Sequence, residues 1–127
     1  VLKEQLKIYP SIKTHLDKFN LQETLFLTDV LITDYSSIPF EYSLANPDGN
    51  IVFFCPDLDN YKKEVGLQAD FFMSEEYEIV ENIEDVVEII NKQENTSLKH
   101  FNLIWNEYAN GKAIKQLIEW IEVTYEI

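Results

Sequence analysis

Cysteine and long apolar runs are the first features that this sequence lacks. Cys55 is the single cysteine among 127 residues, so no disulfide can form within the chain. It ends an apolar run, where we expect the thiol to be buried and inert. No apolar run approaches the roughly 18 residues that a membrane-spanning helix requires, so we expect no direct membrane insertion by this chain. Hydrophobic residues make up 46% of the sequence, which is enough for a packed core in a single domain.

Positive charge is also scarce. Ten Lys and Arg residues stand against 23 Asp and Glu residues, and the formal net charge is −13. Nucleic acids and anionic lipid surfaces attract basic proteins, so this balance argues against nucleic acid as a partner. It also means that a phosphorylated ligand would need some of its neutralising cations from outside this chain.

The most informative stretch is TDVLITDYSSIPFE, which begins at Thr28. Val30–Ile32 is an apolar run rich in branched residues, which is typical of a buried parallel strand. The polar residues Thr33–Ser37 interrupt it, and a helix is predicted at Ser37–Ala45, with Pro39 in the first turn where a missing N–H costs nothing. Free N–H groups at a helix N-terminus favour phosphate, and neighbouring serine hydroxyls add donors. We therefore predict an anion site at this strand-to-helix junction.

A second apolar run, Ile51–Cys55, predicts a second buried strand after the turn at Asn46–Asn50. Two such strands joined by one helix form a βαβ unit, so the predicted fold class is α/β, a Rossmann-like parallel sheet with flanking helices. We place the first strand, Asp29–Thr33, at the centre of this sheet. The carboxyl ends of parallel strands share one edge, which brings Asp57 to the same crevice as Asp34.

The remaining elements are predicted from periodicity and from flanking residues. Asn82–Asn91 fits an amphipathic helix, because its apolar residues recur at i, i+3, i+4 and i+7 and Asn82 is a suitable N-cap. The other predicted elements are a strand at Leu6–Tyr9, a helical turn at Leu21–Leu27, a helix at Asn60–Glu64 that neighbouring acids cap, an edge strand at Tyr77–Val80, and helices at Thr96–Tyr108 and Lys112–Tyr125.

The two C-terminal helices carry both tryptophans of the chain. Trp105 and Trp120 lie among Ile and Leu residues at helical spacing. This pattern favours packing in the core or against another part of the protein over stacking on a nucleotide base. The apolar face of the last helix is formed by Ile114, Leu117, Ile118 and Ile121.

The order of these motifs is similar to that of one known family. The residues that carry the similarity are Thr28–Ser37, Phe40–Leu44, Ile51–Phe54, Pro56–Lys62 with Gly66, and Asn110–Ala113. Together they resemble the CDP-glycerol glycerophosphotransferases, which include bacterial teichoic-acid primases and polymerases and capsule-synthesis relatives. The resemblance extends from about residue 21 to the end of the chain.

The resemblance implies both an architecture and a reaction. Family members are two-lobed GT-B enzymes, and residues 1–127 would form a single donor-nucleotide-binding lobe, the C-terminal half of a longer protein. The enzyme would transfer glycerol phosphate or ribitol phosphate from a CDP-linked polyol to a teichoic-acid or capsular polymer, at the cytoplasmic face of the bacterial membrane. The catalytic base would lie mainly on the missing N-terminal lobe, so we expect the isolated chain to be inactive. No cofactor is implied.

The resemblance also implies roles for particular residues. Thr33, Asp34, Tyr35, Ser36, Ser37 and Ile38 would hold the donor diphosphate, and Tyr9, Glu41 and Asp57 would face the donor crevice. Two positions depart from the family pattern. Tyr9 stands where a phosphate-contacting histidine is usual, and Val65 stands where an arginine usually precedes the glycine. Both departures remove a group that stabilises phosphate charge.

Two other interpretations remain open. Val30–Tyr35 followed by Pro39 is also similar to a response-regulator receiver with Asp34 as phospho-acceptor, although Asp34 comes early in the chain for that fold. Alternatively, Tyr9 and Val65 indicate a degenerate lobe that lacks catalysis and serves as an interaction module.

Each candidate side chain also has a purely structural interpretation. Ser36 and Ser37 can cap the helix, and Asp34 can accept hydrogen bonds from N–H groups of its own loop. Asp34, Asp57 and Asp59 all follow strands that end at the same edge of the predicted sheet, so their carboxylates can converge on a metal ion. Spacing alone does not predict such a site, and we assign no metal.

Overall fold

The computed structural model describes residues 11, 19–68, 77–92 and 97–125. Within these residues the chain forms a parallel sheet and helices that flank it. The strands are β1 (Val30–Thr33), β2 (Asn50–Phe54) and β3 (Glu78–Val80), and the helices are α1 (Leu21–Phe26), α2 (Ile38–Ala45), α3 (Leu58–Glu64), α4 (Ile83–Lys92), α5 (Lys99–Trp105) and α6 (Ala113–Tyr125). The predicted strand at Leu6–Tyr9 lies outside the described residues.

The sheet is parallel throughout its described part, in the order β1-β2-β3. Val30 pairs with Asn50 at one end of the β1–β2 ladder, and Phe54 pairs with Val80 at the end of the β2–β3 ladder. The prediction of an α/β fold with a βαβ unit is therefore confirmed. Among the described strands β2, rather than β1, has a neighbour on both sides. Ile32 in β1 remains 49% exposed, so β1 is less buried than its apolar composition predicted.

Strand β2 carries the core on both of its faces, because successive side chains of a strand point to opposite sides. Ile51 and Phe53 belong to one buried cluster, which also contains Phe101 of α5. Val52 belongs to a second cluster, with Val86 of α4. Helices α1, α2 and α5 thus cover one face of the sheet, and α4 covers the other, which is the layering expected of a parallel sheet.

Helix α2 is joined to α5 by a buried polar network. The Ser43 hydroxyl, which is fully buried, lies 2.8 Å from Asn102 Oδ1, and the Asn102 amide donates to the Ser43 carbonyl at 2.7 Å. The Asn106 amide donates to the Phe40 carbonyl at 3.0 Å and to the Ser43 hydroxyl at 3.1 Å. Since buried polar groups are costly without partners, this network fixes how α2 and α5 pack.

Tyr42 joins α2 to the beginning of β1. Its hydroxyl lies 3.0 Å from the carbonyl oxygens of both Thr28 and Asp29, and the Asn46 amide donates to the Thr28 carbonyl at 2.8 Å. The turn after α2 passes so close to this hydroxyl that a Cβ at Gly49 would overlap it. Position 49 therefore requires glycine, because there is no space for a side chain.

Several elements differ in detail from their predicted form. Helix α3 begins at Leu58 rather than Asn60, and α5 is shorter than predicted. Asn82 caps α4 as predicted, because its Oδ1 accepts the Asp85 N–H at 2.9 Å. Gly111 has φ of 74° between α5 and α6, a left-handed conformation that separates the two helices.

Helix α6 leaves most of its predicted apolar face in solvent. Ile114 is 77% exposed and Trp120 59% exposed, and Leu117 and Ile118 are also exposed. Trp105, by contrast, packs against the core as predicted. None of the helices in the described part of the chain is long and apolar enough to cross a membrane.

The buried network predicts the stability of one variant. Asn102→Ala removes one partner of the Ser43 hydroxyl and the side-chain donor to its carbonyl, and it should lower the free energy of unfolding by about 2 to 3 kcal/mol. Asn60→Ala, at an exposed position of α3, is the matched control and should change it by no more than about 0.5 kcal/mol. Urea unfolding followed by circular dichroism measures both, and equal midpoints for the two variants would contradict a structural role for the network.

Candidate functional site

A cleft of about 890 Å³ opens at the carboxyl ends of β1 and β2. This is where open α/β sheets place their ligands. The lining residues come from the end of β1 and the loop after it and from the end of β2 and the start of α3: Ile32, Thr33, Asp34, Tyr35, Phe54, Pro56, Asp57 and Tyr61. The structure therefore brings Thr33, Asp34, Tyr35 and Asp57 together, as the sequence predicted.

The loop after β1 is held by two local hydrogen bonds. Asp34 Oδ1 accepts the Ser36 N–H at 3.1 Å, and the hydroxyls of Thr33 and Ser36 lie 3.0 Å apart. Asp34 thus has the structural role that the sequence allowed, and it also lines the cleft. The Ser36 hydroxyl bonds to Thr33 rather than capping the helix.

Ser37 occupies the N-cap position of α2 but does not cap it. Its backbone is helical, with φ of −83° and ψ of −5°, and its side chain makes no capping hydrogen bond. Pro39 has no N–H, and the Phe40 N–H donates to the Ser37 carbonyl. Among the described residues no acceptor is bonded to the N–H groups of Ser37 and Ile38. The alternative structural interpretation, in which Ser37 caps the helix, is therefore wrong, and its hydroxyl remains available beside these two N–H groups.

The loops after β1 and β2 touch through Tyr35. The Tyr35 hydroxyl donates to Asp57 Oδ1 at 3.1 Å, and the Tyr35 ring stacks on Tyr61, with centroids 3.7 Å apart and planes 12° from parallel. Asp57 is the N-cap residue of α3, yet its side chain makes no capping hydrogen bond. The prediction that it caps this helix is wrong, because its carboxylate is directed to Tyr35.

Sequence reasoning did not assign Tyr61 to the site. A signal was present, since Tyr61 lies four residues after Asp57, at the spacing of one helical face.

Burial and nearby carboxylates raise the pKa of two groups here, the Tyr35 hydroxyl and the Cys55 thiol. Desolvation, followed by the hydrogen bond to Asp57, raises the pKa of Tyr35 well above its usual value, so the hydroxyl keeps its proton and remains a donor. Burial also raises the pKa of the Cys55 thiol. The hydrogen bond with Tyr35 opposes this, and the carboxylates of Asp34 and Asp57 reinforce it.

The remaining predicted residues lie elsewhere. Ile38 packs against the core, and Glu41 is exposed on the first turn of α2 and is not part of the cleft lining. Tyr9 lies outside the described residues. Within the described ranges, no three His, Cys, Asp or Glu side chains form a group that could hold a metal ion, so Asp34, Asp57 and Asp59 do not converge.

The described lining of the cleft contains two carboxylates, those of Asp34 and Asp57, and no Lys, Arg or His. The chain as a whole has no arginine. The bidentate guanidinium contact that proteins often use for phosphate is therefore unavailable within this chain. Phosphate recognition here would depend on the N–H groups and hydroxyls at the start of α2.

Comparison with known proteins identifies one family. The family model described as CDP-Glycerol:Poly(glycerophosphate) glycerophosphotransferase matches residues 10–123. A teichoic acid glycerol-phosphate primase of Bacillus subtilis (strain 168) is 30% identical over 130 aligned positions, covering 92% of this chain and 34% of the relative. A teichoic acid ribitol-phosphate primase of Bacillus spizizenii is 30% identical, with 83% of this chain and 27% of the relative covered.

A third relative, a teichoic acid glycerol-phosphate primase of Staphylococcus aureus, is 29% identical, with 91% of this chain and 32% of the relative covered. The chain thus spans about a third of the length of these relatives or less. No solved structure matches the chain significantly.

The environment of Cys55 predicts slow thiol chemistry in the native protein. The residue is fully buried, and its raised pKa leaves less thiolate at any pH below that value. Reaction with Ellman's reagent should be slower than for an exposed thiol by about two orders of magnitude or more, since it requires local opening. Thr124→Cys, at an exposed position of α6, adds a fast-reacting thiol as an internal control. Equal rates for Cys55 and the introduced thiol in the folded protein would contradict the burial of Cys55.

Proposed function

The chain belongs to the CDP-glycerol:poly(glycerophosphate) glycerophosphotransferase family, and we propose that it forms the donor-binding lobe of a polyol-phosphate transferase. The enzyme would move glycerol phosphate or ribitol phosphate from a CDP-linked polyol to a teichoic-acid or capsular polymer. The observation that carries the proposal is the uncapped N-terminus of α2, which lies beside the cleft.

The start of α2 has the chemistry of a diphosphate site. The N–H groups of Ser37 and Ile38 and the Ser37 hydroxyl are three donors close together in the chain, and the Ser36 hydroxyl can supply a fourth. The helix dipole adds a favourable potential for an anion at the same place. In the proposed complex these groups bind the two phosphates, while Asp34 holds the loop that presents them.

The cleft itself suits a different part of the donor. Carboxylates repel phosphate but accept hydrogen bonds from the hydroxyls of a ribose or a polyol, as acidic residues do in other nucleotide-binding α/β folds. Asp34 and Asp57 would therefore contact uncharged, hydroxyl-bearing groups, and the apolar walls formed by Ile32, Phe54 and Pro56 would exclude water from them.

In the proposed reaction, a hydroxyl oxygen of the polymer attacks the phosphorus that carries the polyol. A new P–O bond forms, the P–O bond to CMP breaks, and the proton of the attacking hydroxyl passes to a base. The base would lie on the N-terminal lobe. The contribution of this chain is to orient the diphosphate and to stabilise the charge that develops on its oxygens, with N–H and hydroxyl donors already in place.

The lobe assignment forms part of the proposal. The relatives are about three times as long as the region they share with this chain, which leaves room for a second lobe and for acceptor binding. The exposed apolar side chains of α6 are the kind of surface that packs against another domain. A second lobe would also supply the cations that a chain of net charge −13 lacks. We propose a two-lobed GT-B enzyme at the cytoplasmic face of the bacterial membrane.

The two alternatives from the sequence have less support. Asp34 is bonded to the Ser36 N–H of its own loop, and the family match favours the transferase over a phospho-accepting receiver. A degenerate lobe is suggested by Val65, which is exposed after α3 where the family usually has arginine. That alternative requires that no donor binds.

Titration with CDP-glycerol, followed by NMR, tests the proposal. Amide shifts should cluster at residues 33–40 and at Asp57, and CDP should bind more tightly than CMP because it has the second phosphate. The double variant Ser36→Ala/Ser37→Ala should weaken CDP-glycerol binding by roughly tenfold or more, because each lost hydroxyl–phosphate hydrogen bond is worth about 1 kcal/mol.

Ser97→Ala, at an exposed position outside the cleft, is the control and should bind like the unmodified chain. Shifts scattered over the surface, or equal affinity in the double variant, would reject the start of α2 as the diphosphate site. An absence of binding at millimolar CDP-glycerol, both for this chain and for a longer protein that contains it, would favour the degenerate lobe.

A further inference from the structure

The contact between Tyr35 and the loop after β2 joins residues that are far apart in sequence. Tyr35 and Asp57 are separated by 22 positions, and their hydrogen bond spans the cleft-side ends of β1 and β2. The ring of Tyr35 also stacks on Tyr61 in the middle of α3. One side chain thus connects the loop that precedes α2 to the loop that precedes α3.

At the N-terminus of α3, the hydrogen bond from Tyr35 to Asp57 stands in place of an ordinary helix cap. Asn20 forms a full capping box at α1, and Asn82 caps α4. The two helices that begin at the cleft, α2 and α3, have Ser37 and Asp57 at the N-cap position, which are good capping residues, yet neither side chain caps. A good capping residue that does not cap its helix is a local conflict of the kind that functional sites tolerate.

Tyr35 lies between Asp34 and Ser36, so its anchoring restrains the backbone that presents the diphosphate donors. Asp34 holds the Ser36 N–H from within the loop, whereas Tyr35 holds the same loop from outside. The two restraints involve different atoms, and both act on the backbone that leads to the N–H of Ser37. The raised pKa of Tyr35 supports this picture, because the hydroxyl remains a donor to the carboxylate at physiological pH.

We infer that Tyr35 is a positioning residue for donor binding, which acts through Asp57 and Tyr61 to hold the two loops in their binding geometry before the donor arrives. The inference rests on the proposed function for the identity of the ligand. It assigns to Tyr35 a role beyond direct contact with phosphate. Pre-organisation of this kind raises affinity, because less loop entropy is lost on binding.

The test uses variants that separate the hydroxyl from the ring. Tyr35→Phe keeps the stack on Tyr61 but loses the bond to Asp57, and Asp57→Ala loses the same bond from the other side. Asp57→Asn keeps an oxygen that can accept from Tyr35. Tyr108→Phe, at an exposed tyrosine outside the cleft, is the matched control.

The first measurement is backbone ¹⁵N relaxation without ligand. In the unmodified chain the amides of residues 34–38 should have order parameters near 0.85, and Tyr35→Phe and Asp57→Ala should lower them toward about 0.6. Asp57→Asn and Tyr108→Phe should leave them unchanged. Unchanged order parameters in Tyr35→Phe would overturn the inference, whether or not the donor binds.

The second measurement is the affinity for CDP-glycerol. Tyr35→Phe should weaken binding by about five- to tenfold in the unmodified background, as expected from lost pre-organisation. In the Asp57→Ala background the same substitution should change affinity by less than about twofold, because its partner is already gone. Equal losses in both backgrounds would show that Tyr35 contacts the donor by itself and would overturn the positioning role.

The two measurements keep this inference separate from the proposed function. If the unmodified chain and a longer protein that contains it both fail to bind CDP-glycerol, the proposed function is rejected, and relaxation still decides whether Tyr35 holds the loops. If the donor binds but relaxation shows no change in Tyr35→Phe, the proposed function stands and the positioning role is rejected.

Discussion

The attachment of helix α2 is the constraint on which the rest of this structure depends. Ser43 is buried without access to water, and its hydroxyl bonds to Phe40 of its own helix and to Asn102 and Asn106 of the α5 region. Tyr42, the preceding residue, bonds to the carbonyls that lead into β1. Because these contacts leave α2 little freedom to slide or rotate, its N-terminus stays at the carboxyl edge of the sheet, where the cleft opens.

That placement explains how an acidic chain can offer an anion site. There is no arginine in the sequence, and the cleft lining includes Asp34 and Asp57. In the proposed function, the cleft carboxylates repel phosphate, which binds instead at the start of α2, where N–H groups and hydroxyls lie close together in the chain. The separation of a donor-rich helix end from a carboxylate-lined cleft matches a ligand with one anionic part and one hydroxyl-rich part, as in a CDP-linked polyol.

Much of this arrangement could be predicted from local patterns. The apolar runs at Val30–Ile32 and Ile51–Cys55 identified the parallel strands, because strands in such sheets are apolar on both faces. Pro39 marked the first turn of α2, and the shared carboxyl edge brought Asp34 and Asp57 to one crevice. The expectations that failed concerned how individual side chains use their hydrogen bonds. Ser37 and Asp57 are good capping residues, and neither one caps its helix.

The sequence by itself determined the family and the α/β class, and it predicted the edge of the sheet at which the cleft opens, since each depends on residues that are neighbours in the chain or on strand order. Only the tertiary structure decided that Tyr35 stacks on Tyr61 and bonds to Asp57, and that Asn102 and Asn106 hold Ser43. These pairs, including the stack, are separated by 22 to 63 positions in the chain. The physical reason is that a side chain chooses its partner by distance in space, and local propensity contains no information about the residues that folding brings alongside it.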